Sequence, residues 1–201
     1  MKLKLIYKEM VKAILKQEII EVPDNVKVSV KSKVVTVEGP KGTLSRNFRH
    51  VPIQIAEIKK DNKVTQICVR IWFAKSKPKS CVNTICKHIR NMMTGVTKGF
   101  KYVMKYGYNI LPMQPVAIDG GKTLQVVNYL GQKYVRKIKC CDGVTVETND
   151  SDTKKEIIVT GIDPNAVGLT CALINQNCVI RNVDRRKFKD GIYIFQRLVN
   201  E

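Results

Sequence analysis

The chain has 201 residues, with 36 Lys and Arg against 17 Asp and Glu, a net charge of +19 and a sequence pI near 9.7. Its length allows one or two domains, and its charge balance is that of a nucleic-acid binder. It has no run of about 18 apolar residues, no C-terminal prenylation box and no signal-peptide pattern, which argues against a membrane partner.

In Met1 to Glu18, Leu3, Ile6, Tyr7, Met10, Val11, Ile14 and Leu15 fall near helical spacing with five lysines between them. Residues 1–18 read as a basic N-terminal extension, with a short membrane-surface helix as the competing reading. Alternation then takes over. Val26, Val28 and Val30, then Val35 and Val37, alternate with polar residues. A Gly39-Pro40-Lys41-Gly42 turn follows, and Leu44 to Phe48 resumes extended chain, a pattern of antiparallel strands. Val64 to Ile71 is another β-rich run. A helix is predicted from about Lys79 to Lys98, with Cys81, Val82, Ile85, Cys86, Ile89, Met92, Met93 and Val96 on its core stripe. Phe100 to Tyr108 is an aromatic extended segment, and Gly107, Asn109, Pro112 and Pro115 break the pattern after it.

The sequence then repeats itself at an offset of about ninety residues. Val116 and Ile118 lead to Leu124 and Val126, then Gly131, then Tyr134 to Ile138. Glu156 to Thr160 is again β-rich. Asp163 is a plausible N-cap with Pro164 in the first turn, and Val167, Cys171, Ile174 and Cys178 form an inner helical face. Phe188 to Phe195 closes the copy. The expected fold is α+β, two tandem copies of a small antiparallel sheet covered on one face by a helix. The expected domains are residues 19–106 and 107–201.

Several motifs are weaker than they look. Gly120-Gly121-Lys122-Thr123 resembles the end of a P-loop, but Val116 stands where the first glycine is required and strand pattern follows. Gly39-Pro40-Lys41-Gly42 matches a backbone-clamping Gly-x-x-Gly loop, yet it joins strands where that loop joins helices. The seven cysteines form no C-x-x-C pair, and His50 and His88 lack ligand spacing. The thiols read as small buried hydrophobes. His88 lies among residues that look solvent-facing, and Asp150 and Asp152 read as a solvated polar turn. No catalytic residue, metal site or cofactor is expected.

Between Asp61 and Asp119 there are ten cations and no carboxylate. Solvated surfaces normally mix signs, so this run needs an external polyanion. Charge alone points to the first half, at +11 for residues 21–100 against +5 for 101–201. Tyr102, Tyr106, Tyr108 and Tyr129 could stack on bases, although strand tyrosines are more often core.

The residues from Val82 to Phe100, VNTICKHIRNMMTGVTKGF, closely resemble the hallmark helix and exit of the universal large-subunit ribosomal protein six family, in its eukaryotic branch called protein nine. Val37 to Leu44, Asn128 to Tyr134 and Arg186 to Tyr193 match in order. The resemblance implies a non-enzymatic constituent of the large ribosomal subunit. Such a protein binds rRNA near the sarcin–ricin loop and stalk base, where translational GTPases dock, and its other partners are neighbouring ribosomal proteins. It implies a cytoplasmic location, with assembly in the nucleus or nucleolus, and makes the second domain the main rRNA-binding one. The expected rRNA-binding residues are therefore Lys133, Arg136, Lys137, Arg185, Arg186, Lys187 and Lys189, together with Lys101 and Lys105. Gly131 and Gly191 would serve tight turns or close backbone approach. A free RNA-binding regulator or assembly factor is the alternative.

Overall fold

The computed structural model describes residues 14–60, 63–151, 154–184 and 186–200, and the chain divides into two compact units, Met1–Thr97 and Lys98–Glu201. The first unit holds β1 (Leu15–Glu21), β2 (Lys27–Lys31), β3 (Val34–Gly39), β4 (Gly42–Asn47), β5 (Gln54–Lys60), β6 (Lys63–Trp72) and α1 (Ser76–Thr97). β2, β3 and β4 form a meander in that order, and a second sheet runs β1-β6-β5. Alternation builds both: Val28 pairs with Val37 and Val37 with Leu44, while Ile67, Val69 and Ile71 of β6 are buried. α1 lays Val82, Ile85, Cys86, Ile89, Met92, Met93 and Val96 against these strands. Gly39 pairs with Gly42 across Pro40 and Lys41, so this motif is a hairpin turn, and the Lys41 N–H donates to the carbonyl of Val96 at 3.0 Å.

The second unit repeats the plan with β7 (Phe100–Gly107), β8 (Gln114–Ile118), β9 (Thr123–Val127), β10 (Arg136–Lys139), β11 (Val144–Ser151), β12 (Lys154–Gly161), α2 (Pro164–Asn177) and β13 (Gly191–Val199). Its meander is β8-β9-β10, and its larger sheet runs β11-β12-β7-β13. In each unit the first strand pairs with the strand that leads into the helix, β1 with β6 and β7 with β12. β13 then adds to the far side of β7. The Asp163 carboxylate accepts from the Asn165 N–H at 3.0 Å and caps α2. The α+β architecture in two tandem copies is present, with the strands of each copy divided between two sheets.

Two boundaries differ from the sequence reading. Phe100–Tyr106, assigned there to the first domain, is the β7 strand of the second unit: Met104 and Tyr106 are buried in the second core, and both edges of β7 are paired within that unit. The Gly- and Pro-rich break at 107–115 is the connection from β7 to β8. At the other end, residues 15–18, assigned to the extension, belong to β1 and pair with Val69–Trp72. Residues 1–13 lie outside the described part. α1 also starts three residues before the expected Lys79, with Pro78 tolerated in its first turn.

The four buried cysteines are Cys86, Cys140, Cys171 and Cys178. Burial is the largest cause that pushes the Cys86 thiol from 9.0 up to about 12 and those of Cys171 and Cys178 up to about 11. These folded-state values lie above the unfolded ones, so the thiols' contribution is fully present below pH 9 and is lost as pH rises through 11. The expected outcome is a urea midpoint that falls on going from pH 8 to pH 11, measured by circular dichroism.

Candidate nucleic-acid interface

The basic segment of the β9–β10 region is parted by strand alternation. Ile138 pairs with Leu124 and is buried, and Arg136 pairs with Val126 on that same inward side. Lys137 and Lys139, opposite Gln125 and Thr123, face solvent. Arg136 stacks its guanidinium 4.4 Å from the ring centre of Tyr129 and donates to Gln132 Oε1 at 2.8 Å and to the carbonyl of Asn177, the last residue of α2. Its Nε is buried without a hydrogen-bond partner. Tyr129 is fully buried, and its hydroxyl donates to the Cys178 carbonyl at 2.8 Å. Burial, foremost, pushes its pKa up to about 12. Two side chains of the meander thus satisfy carbonyls at the C-terminus of α2, where a cation also complements the helix dipole.

At this junction lies an open cleft of about 450 Å³, lined by Tyr129, Gln132 and Arg136 from one segment and Gln176, Asn177 and Arg181 from the other. The basic loop that follows α2 departs from its wall. In that loop the Asp184 carboxylate accepts from the Arg186 N–H at 2.9 Å, and its carbonyl accepts from the N–H groups of Lys187 and Phe188 at 3.1 and 3.0 Å. Arg186, Lys187 and Lys189 stay exposed, while Arg185 lies outside the described residues. Asp190 closes the loop from a buried position, accepting from the Asn109 N–H at 2.8 Å. Gly191 follows at φ +140, where a Cβ would sit 3.0 Å from the Tyr193 hydroxyl and 3.2 Å from the Cys178 carbonyl. Gly131, at φ +72, makes the turn beside the cleft.

The chain is similar to known proteins over most of its length. The profile described as ribosomal protein L6 matches residues 22–99 and 115–191, one segment for each copy of the repeat. The chain is 40% identical to the large ribosomal subunit protein uL6A of Schizosaccharomyces pombe over 92% of its own length and 94% of that protein. It is 39% identical to uL6 of Ignicoccus hospitalis, over 94% and 99%, and 36% identical to uL6 of Tetrahymena thermophila, over 87% and 90%. The chain belongs to the ribosomal protein L6 family. It is accordingly a structural, non-enzymatic ribosomal protein of the large subunit.

Within this L6 chain Arg136 is the one expected residue that lines the cleft; Lys133 and Lys137, chain neighbours of its lining residues Gln132 and Arg136, are exposed, and so are Arg186, Lys187 and Lys189 in the loop after α2. Lys101 and Lys105 do not line it. Both sit on β7, where Lys105 lies 3.8 Å from Glu156 Oε1 and 3.7 Å from the ring centre of Phe195, and Lys101 is half-buried between Thr160 and Leu198. Of the tyrosines weighed for stacking, Tyr106 and Tyr129 are buried and Tyr102 and Tyr108 pack against the core. Tyr134, which the sequence reading did not single out, is 73% exposed between Lys133 and β10. The repeat pattern puts it at the head of the extended run Tyr134 to Ile138, whereas β10 begins only at Arg136 and leaves Tyr134 on the short connection after Gly131. Arg181 belongs in sequence to the basic cluster before the last strand and Gln132 to the family-like stretch Asn128–Tyr134, while Gln176 carried no signal; only packing of α2 on the meander brings the three to one cleft.

Two further groups differ from expectation. His88 is half-buried, its ring 6.4 Å from that of Phe48 and its Nδ1 3.2 Å from Arg46. Burial, then Arg46, hold it below its ordinary pKa, so neutral imidazole accepts from the guanidinium. Asp150 lies in β11, where its carboxylate accepts from the Tyr106 hydroxyl at 2.6 Å; Asp152 is outside the described residues. Among the described residues no His, Cys, Asp and Glu cluster is placed to hold a metal.

The split roles of β10 are testable. Arg136→Lys should lower the urea midpoint, because an ammonium cannot reproduce the paired donors or the planar stack. Lys137→Ala should leave that midpoint unchanged and weaken RNA binding instead.

Proposed function

We propose that this L6-family chain binds large-subunit rRNA chiefly through its second unit, near the sarcin–ricin loop and the stalk base, and so supports the region where translational GTPases dock. The observation that carries the reading is the cleft at the C-terminus of α2, which Arg136 and Arg181 line from segments distant in sequence, beside the contacts that Tyr129 and Arg136 make to the end of that helix. Lys133, Lys137, Lys139, Arg186, Lys187 and Lys189 belong to the segments that supply those lining residues or directly follow them, exposed and without an ion-pair partner among the described residues. Their role is to neutralise phosphates and release counterions, which positions the RNA without reading its sequence. The guanidinium and amide groups of Arg181, Gln132 and Gln176 supply donors for phosphate oxygens or base edges, and Tyr134 offers a ring on which an unstacked base can lie.

As a large-subunit protein the chain works on cytoplasmic ribosomes, and its assembly into pre-subunits takes place in the nucleus or nucleolus. Exposed apolar residues of the edge strand β13, including Phe195 and Leu198, suit contact with a neighbouring ribosomal protein. Sucrose-gradient sedimentation in high salt tests the assignment: the chain should remain with mature large subunits. Release to the top of the gradient, or confinement to immature particles, would instead make it a free RNA-binding regulator or an assembly factor.

A further inference from the structure

The acid-free run leaves a second surface that the cleft does not explain. Ile67, Val69 and Ile71 of β6 face the first core, so Arg70 and Trp72 face outward on the opposite side of the strand. Trp72 is 45% exposed and Phe73, the next residue, is 78% exposed. Phe73 has φ +47, a left-handed backbone that a bulky residue adopts only when its surroundings hold it there. The Phe73 N–H donates to the Ile14 carbonyl at 2.8 Å, which fixes that conformation at the end of β6. Lys75, Lys77 and Lys79 follow, all exposed and without an ion-pair partner among the described residues. Lys77 and Lys79 also stand in the first turn of α1, where cations oppose the helix dipole and no acidic residue offsets them.

The unit therefore carries two exposed aromatic rings, one of them held in a strained backbone, followed by three unpaired lysines. Apolar packing alone would account for the rings but not for the cations. We infer that Arg70, Trp72, Phe73, Lys75, Lys77 and Lys79 form a second RNA contact, in which the aromatic rings stack on unpaired bases and the cations follow the adjoining phosphates. This inference rests on the reading of the chain as an rRNA binder and adds a site on its first unit. Base-on-ring stacking is sequence-tolerant and needs the π face, which leucine lacks.

The test uses the full chain and a full-length large-subunit rRNA transcript in filter-binding titrations over a range of salt. W72L/F73L should weaken binding by about 5- to 150-fold for each ring lost, and so by at least about 30-fold together, with an unchanged salt slope, and W72F/F73Y should bind like the wild type. K75A/K77A/K79A should lower the log–log salt slope by about 2–3. Urea unfolding of each variant is the control for folding, and ultraviolet crosslinking of Trp72 to RNA in assembled subunits is an independent readout. Leucine variants that bind RNA like the wild type, with no crosslink at Trp72, would overturn the inference and give the patch to a protein partner. If variants at the α2 cleft still weaken binding in that case, the proposed function stands and this second site alone fails.

Discussion

Replacing Lys133, Lys137, Arg186, Lys187 and Lys189 together by alanine will lower affinity for large-subunit rRNA by about 10²–10³ near 200 mM salt, and will reduce the log–log salt slope by about 3.5–4.5. The physics is counterion release: each cation that neutralises a phosphate contributes roughly 0.7–0.9 to the slope, and five are removed. All five are exposed and none makes an ion pair among the described residues, so the change reports on RNA and not on the fold. Urea midpoints should match the wild type. The contrasting pair is Lys101 and Lys105, whose β7 positions tie them to the sheet and, for Lys105, to Glu156. Their replacement should change the slope far less. Equal slope changes from the two sets would move the main RNA surface away from the α2 cleft.

The second large effect is on stability. Tyr129→Ala should cost about 3–5 kcal/mol, the usual range for emptying a fully buried aromatic site. The ring also supports the Arg136 guanidinium, and its hydroxyl satisfies the Cys178 carbonyl, so the same change leaves a charge and a helix-end carbonyl with fewer partners. Tyr129→Phe isolates the second contribution and should cost about 1–3 kcal/mol, the penalty for an unsatisfied buried acceptor. Chemical denaturation followed by circular dichroism measures both. If alanine and phenylalanine are equally mild, the meander does not depend on this tyrosine to hold the end of α2.

What could be read from the chain follows the range of the interactions involved. Alternation at Val26 to Val37, the Gly39 to Gly42 turn, the α1 stripe from Val82 to Val96 and the Asp163 cap are local, and each sits where the residues indicate, while Cys81, expected on that stripe, is only half-buried. The duplication was legible because both copies keep the same local order. The boundary was not, because β7 follows α1 directly while its partners, Glu156–Gly161 and Gly191–Val199, come much later in the chain. Proline and glycine in the 107–115 connection look like a linker for the same reason a tight loop does.

The interface shows the same division. Net charge picked out the partner class, and alternation alone would have separated Arg136 from Lys137, since Ile138 marks the inward side of β10. Nothing in the sequence announces that Arg136 spends its donors on Asn177 and Gln132, or that Gln176 and Arg181 face the same cleft. Those contacts depend on how α2 packs over the second sheet and where it ends. The acid-free run, in turn, crosses two units, so one run of sequence supplies both the lysines that precede and begin α1 and the sheet-bound Lys105.

Ultraviolet RNA crosslinking of assembled large subunits, with the crosslinked peptides identified by mass spectrometry, tests the central claim most directly. The predicted result is a set of rRNA crosslinks within residues 131–139 and 181–189 of the second unit. Crosslinks confined to the first unit, with both of those segments silent, would contradict it.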